Sequence, residues 1–239
     1  MGYESQKAEE AKLWKHKLLR KPSLLERTSK KAQTKVNQFI PEKVHHTITE
    51  SIKMMVQATI VGSDITTFPK GAENLTFEER EQLVQKAIEN YKKTAAIEGA
   101  TTGAGGILLG LADFPLFLSI KMKFLFEVAS IYGYSTKEKS ERLFLLYVFQ
   151  LAFSSEAHKA EALELVEHWD TYKFKVEDVD WRIFQQEYRD YIDLVKMMQL
   201  VPGIGAIVGG VANYNLVQHL GETAMNCYRL RIFSKPKAN

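Results

Sequence analysis

Cysteine is nearly absent. The 239 residues contain one, Cys227, which excludes an intramolecular disulfide and suits a reducing compartment. Residues 1–23 are charged throughout and lack the apolar run of a secretory leader, so none is expected and the protein is placed in the cytoplasm or on its face of a membrane. The sequence has no H-E-x-x-H, no G-x-x-x-x-G-K-[ST] and no G-x-S-x-G. Metalloprotease, P-loop and serine-hydrolase chemistry are therefore unsupported. The six histidines are scattered and the cysteine stands alone, so no metal site and no cofactor are expected. No nucleic-acid-binding module accompanies the basic residues, which argues against a nucleic-acid partner.

Apolar and charged residues, 45% and 26% of the chain, are those of an ordinary globular protein long enough to bury one large core. The net charge of +3 hides an asymmetry. Residues 1–40 hold ten Lys/Arg against four Asp/Glu, and residues 229–239 hold four basic residues and no acid, so the stretch between them carries −7. Basic ends of this kind are expected to meet anionic lipid, where each contributes about 1 kcal/mol, or else simply to be solvated.

Helical signals dominate. Helices are expected over 4–20 and 22–39, and another opens at Pro41-Glu42. Thr76-Phe-Glu-Glu79 is a capping box ahead of a helix with Leu83, Val84, Ala87, Ile88 and Tyr91 on one face. Asp113 can cap a helix ending at Gly133, Ser135 begins the next, and further helices follow over 156–170, from Asp180 to about Leu200, and up to Arg231. Residues 172–176 alternate weakly and could be extended, but a lone strand has no partner in this chain. The expected fold is all-α: a basic helical arm over 1–40, and a single multi-helix domain over 41–239 with two glycine-rich segments at its centre.

Those segments, Gly99–Ala112 and Leu200–Asn215, are apolar and free of charge. Glycine costs a helix roughly 1 kcal/mol relative to alanine, so its repeated use implies close backbone approach to a helix, a ligand or lipid. The pairs Gly99/Gly103, Gly106/Gly110 and Gly205/Gly209 each place two small residues on one helix face. The uncharged stretch Met197–Gln218 would reach about 33 Å as a helix, but its strongly apolar part is shorter. Buried central helices are the first expectation, and interfacial insertion the second. Asp113 interrupts the apolar run, either as a helix cap or as a buried proton acceptor or ligand contact, and Asn213 can satisfy backbone groups or pair with it.

Gly110-Leu-Ala-Asp-Phe-Pro-Leu116, Tyr132-Gly133, Pro202-Gly-Ile-Gly-Ala206 and Ala212-Asn213, leading to Tyr228-Arg229-Leu-Arg231, together resemble the EcsC family of bacterial proteins over nearly the whole chain. The resemblance implies association with an Ecs-type ABC exporter, whose ATPase and membrane subunits are encoded with the family's namesake, and it carries over no catalytic residue. Asp113, Pro115, Gly203, Gly205, Asn213 and Arg229 fall on its signature segments. With Gly209 and Arg231 they are the candidate ligand or partner contacts of a non-catalytic accessory protein, held peripherally by an anionic membrane surface or by transporter subunits. The alternatives are a hydrolase-like enzyme using Asp113 with a distant histidine, and a carrier with an apolar pocket near Asp113.

Overall fold

A computed structural model describes residues 2–20, 42–61, 74–104, 114–154, 158–175 and 205–234. These form eight helices and no strand: α1 (Tyr3–Leu18), α2 (Glu42–Val61), α3 (Phe77–Ala104), α4 (Phe114–Ile131), α5 (Lys139–Phe153), α6 (Lys159–Glu167), α7 (Trp169–Tyr172) and α8 (Gly205–Phe233). The expected helices over 22–39 and from Asp180 to Leu200, with Asp113 and Gly203, lie outside the described residues.

The start and stop signals act as their chemistry dictates. At the head of α3 the Glu79 carboxylate accepts from the Thr76 N–H and hydroxyl, both at 2.8 Å, and the Glu79 N–H donates back to Thr76 Oγ1 at 3.3 Å. At the end of α4, Gly133 takes φ +88°. The Tyr134 N–H then reaches Ala129 O at 2.9 Å and the Gly133 N–H reaches Ser130 O at 3.0 Å, which closes the orphan carbonyls. Arg80 lies against this stop and donates to Ile131 O at 2.7 Å, tying the start of α3 to the end of α4.

Two local expectations are corrected. Helix α5 begins at Lys139, not Ser135, because the Thr136 and Lys137 carbonyls are taken by the Arg142 guanidinium at 3.0 and 2.6 Å. Residues 173–175 form a turn, not an extended segment: the Lys173 N–H bonds to Trp169 O and the Lys175 N–H to Tyr172 O, both at 2.8 Å. With no neighbouring strand, the backbone closes on itself.

From Gly205 on, the second glycine-rich segment and the last expected helix are one element, α8, which lies antiparallel along α3 and also touches α1, α4, α5 and α6. Lys92 sits over the Tyr214 ring and Glu81 meets Arg229 further along. Where the helices cross most closely, a Cβ on Gly99 would strike the Gly209 carbonyl and come within 2.5 Å of the Asn213 amide nitrogen; one on Gly210 would lie 3.1 Å from Ala96 O. The arm expected over 1–40 is docked on the body over α1: Ala11 is buried, the Tyr3 ring is 6.3 Å from Phe77, and Lys15 pairs with Glu167 at 2.5 Å. Helix α5 is buried almost all round, as a central helix must be.

Alanine at Gly99 would gain about 1 kcal/mol of helix propensity in the open, but here its methyl group has to displace backbone. Gly99→Ala is expected to lower stability by about 1–3 kcal/mol, measured as the urea midpoint. Gly2→Ala, with nothing near its Cβ, should leave the midpoint unchanged.

Candidate functional site

The C-terminal turns of α8 carry two arginines two residues apart. That spacing is about 200° around a helix, so their side chains leave in nearly opposite directions. Arg229 turns to α3, its Nε 3.1 and 3.0 Å from the two Glu81 oxygens and its Nη2 also on Glu81. It further contacts Asn226 at 3.3 Å and Glu10 of α1 at 3.6 Å. Arg231 turns to α5 and α7, with Glu141 at 2.7 Å and Asp170 at 3.0 Å, and lies over the Tyr134 and Phe144 rings at 4.1 and 4.5 Å.

Each buried carboxylate also accepts from a tyrosine: Glu81 from Tyr132, and Glu141 from Tyr228 at 2.6 Å. The two rings stack with centroids 4.8 Å apart, so the two ion pairs form one network across α1, α3, α4, α5, α7 and α8. Burial and the neighbouring carboxylates push both phenols well above their ordinary range, which keeps them hydrogen-bond donors. Burial also raises the Glu141 carboxyl, against the pull of Arg231 and Tyr228. Burial opposes the charge on both guanidiniums, yet the hydrogen bonds to Glu81 and the proximity of Glu141 outweigh it.

A second buried polar spot lies where α4, α5 and α8 meet. Lys121 is fully buried, its Nζ 4.1, 4.6 and 5.8 Å from the ring centres of Phe117, Phe153 and Phe149. Nearby, His219 Nε2 is 2.7 Å from Ala152 O, a separation that makes this nitrogen the donor. Burial lowers the His219 pKa, and Lys159 and Lys121 lower it further against Glu222 and the Ala152 carbonyl. No cluster of His, Cys, Asp and Glu suited to a metal ion occurs among the described residues.

The candidate contacts separate into two groups. Gly205 opens α8, Gly209 is buried against Gly99, and Asn213 is buried and donates to Glu98 at 2.6 Å. Pro115 is half-buried in the first turn of α4, where its missing N–H costs nothing. Arg229 and Arg231 lie about 30 Å further along α8. Their expected role as surface charges is corrected: both are buried and held by carboxylates of the protein itself. Tyr132 and Tyr228 entered only within the segments that carry the family resemblance, and Glu81 and Glu141 were not singled out by sequence. Their signal was present, since Glu81 falls on the 81-84-88-95 stripe and Glu141 on 141-145-148-152.

Residues 5–233 match the EcsC protein family. The chain is 55% identical over 227 residues to Protein EcsC of Bacillus subtilis (strain 168), covering 95% of each chain. It is 34% identical over 155 residues to the uncharacterized protein YdbA of the same strain, covering 63% of this chain and 57% of that one. No solved structure matches.

Two outcomes follow from the site's geometry. Breaking the Glu81–Arg229 pair on one side leaves a buried charge alone, so Glu81→Leu and Arg229→Met are each expected to cost about 3–5 kcal/mol, whereas the double variant regains most of it; chemical unfolding of all four proteins checks this. Because His219 is depressed in the fold, the unfolded chain binds more protons near pH 6, so stability present above pH 6.5 is lost as pH falls through the folded value. His219→Gln, which keeps a donor for Ala152 O, should flatten that slope in urea midpoints measured from pH 7.5 downward.

Proposed function

The chain belongs to the EcsC family, and from that premise we propose that it is a non-catalytic accessory protein of a membrane system, associated with an Ecs-type ABC exporter and bound peripherally to the cytoplasmic membrane face. The observation that carries this reading is the 55% identity to Protein EcsC along 95% of both chains, taken with the exporter association that family resemblance implies. No described helix is long and apolar enough to cross a membrane, so attachment through a surface is the mode the described helices allow.

The source of electrostatic attraction is narrower than the charge map alone indicates. Arg229 and Arg231 are committed inside the fold. On α1, Lys7, Lys12 and Lys15 pair with Glu10, Glu9 and Glu167. The remaining basic residues of the two ends are Lys17, Arg20, Lys21, Arg27, Lys30, Lys31 and Lys35 at one, and Lys235 and Lys237 at the other. Each such residue near an anionic surface contributes about 1 kcal/mol, and salt screens it.

Co-sedimentation with phosphatidylglycerol-containing and pure phosphatidylcholine vesicles tests the membrane half of the proposal. Binding is expected to the anionic vesicles alone and to disappear at high salt. Reversing Lys30, Lys31 and Lys35 to Glu should weaken it by roughly 100-fold or more, while the fold stays intact. Binding that survives high salt excludes electrostatic attachment, and absence of binding to either vesicle excludes the peripheral role. Co-purification with tagged transporter subunits tests the other half, and its absence from solubilised membranes removes the exporter association.

A further inference from the structure

The turn after α7 presents an aromatic side chain to solvent between two lysines. Phe174 is 84% exposed, the most of any large hydrophobic side chain among the described residues. Lys173 and Lys175 flank it, and Lys173 Nζ stands 5.2 Å from its ring centre. An isolated exposed apolar residue is ordinary on a protein surface. This one differs in how it is held and in what lies beside it.

The turn is rooted in the core. Trp169, immediately before it, is fully buried, its ring centre 5.7 Å from those of Phe144 and Tyr147. Asp170 receives Arg231 at 3.0 Å and Lys173 at 3.5 Å, so the buried network continues outward to the base of the turn. Backbone bonds from Lys173 to Trp169 O and from Lys175 to Tyr172 O fix the tip. Phe174 is thus presented on a rigid base, with little ordering entropy left for a partner to remove.

The end of α8 and the second half of α1 also lie against α6, which leads into this element. Glu167, at the end of α6, receives Lys15 on its carboxylate at 2.5 Å, and its carbonyl receives the Ser234 hydroxyl at 3.5 Å. Beyond Lys15 the chain continues into the basic stretch from Lys17 to Lys35, and beyond Ser234 to Lys235 and Lys237. The exposed aromatic therefore follows an element that both α1 and the end of α8 touch, and the sequence beyond each of those two helices is basic. An aromatic ring with flanking lysines is the composition that partitions at a membrane–water boundary, the ring among the upper acyl carbons and the ammonium groups at the headgroups.

We propose that the Lys173-Phe-Lys175 turn is a lipid-surface anchor: Phe174 enters the acyl boundary of an anionic bilayer, and Lys173 and Lys175 meet its headgroups. The proposal rests on the peripheral-membrane reading above and names the point of contact. Glu177 and Asp178 follow in the chain and limit what the lysines add, so Phe174 contributes most.

The test uses the full chain with Phe174→Cys labelled by an environment-sensitive fluorophore, and Val61→Cys, 81% exposed on α2, as comparison. Cys227 is fully buried, and a wild-type labelling control measures its background. On phosphatidylglycerol-containing vesicles the label at 174 should brighten and shift to the blue, and the label at 61 should not. Phe174→Ser, with an unchanged urea midpoint, should weaken partitioning roughly 10- to 100-fold. Lys173→Gln and Lys175→Gln should each weaken it about fivefold at most, on anionic vesicles only. Vesicle-bound protein with an unshifted label at 174, or unchanged binding of Phe174→Ser, overturns the anchor and leaves the peripheral reading standing. Failure of the wild type to sediment with any vesicle overturns both.

Discussion

The contact between α3 and α8 is the constraint on which the rest of the structure depends. Two helices of 28 and 29 residues, each about 42 Å long, run antiparallel, and their register is fixed at both ends by different chemistry. At one end Gly99 admits the Gly209 carbonyl and the Asn213 side chain. At the other, Glu81 receives Arg229. The two determinants are separated by similar lengths along each helix, so a single register satisfies both. A slip of one turn would leave the Glu81 carboxylate level with Met225 or Phe233 instead of Arg229. Between the ends, Gly221 leaves room for Ile88 and Phe124, which keeps the helices close.

The buried charges are better understood through this register than through stability. Removing a carboxylate and a guanidinium from water costs several kcal/mol each, and a well-packed apolar pair in their place is often no worse. What the pairs contribute is discrimination among packings. Glu81 and Glu141 are each closed by one arginine and one tyrosine, so a misaligned α8 would strand two acids and two bases at once. The stacking of Tyr132 on Tyr228 couples the two pairs, and α3, α4, α5 and α8 must therefore be placed together. Non-local closure of this kind joins residues as far apart in sequence as Glu81 and Arg229.

That distance also explains which features could be read from sequence. Signals confined to one turn were legible: the Thr76–Glu79 box, the stop at Gly133, the apolar stripe through Val84 and Ile88. So was the purpose of the glycines, because a residue unfavourable to a helix, repeated within one, implies a neighbour at close range. The fate of Arg229 and Arg231 was not legible. Read along the chain, they belong to a basic tail without a nearby acid, and their partners lie 148 and 90 residues upstream. Glu81 and Glu141 were overlooked for the complementary reason: a carboxylate on an apolar stripe has meaning only beside its partner. The weak alternation at 172–176 suggested extension but had no second strand to pair with, and the segment closes as a turn.

Withdrawing Arg229 and Arg231 into the core changes how the molecule would meet an anionic surface. Residues 41–228 carry −7, and the two arginines offset only part of that, so the folded body as a whole is repelled by anionic lipid. Attraction would be left to the basic sequence beyond α1 and beyond Ser234, and Lys15 and Ser234, near those two points, both contact Glu167. Charge of one sign concentrated in a few stretches of a chain would orient the protein as well as hold it, since some directions of approach lower its energy more than others. The glycine crossing lies at the opposite end of α8, about 30 Å from the two arginines, so the close helix contact and the buried charges occupy separate parts of the fold.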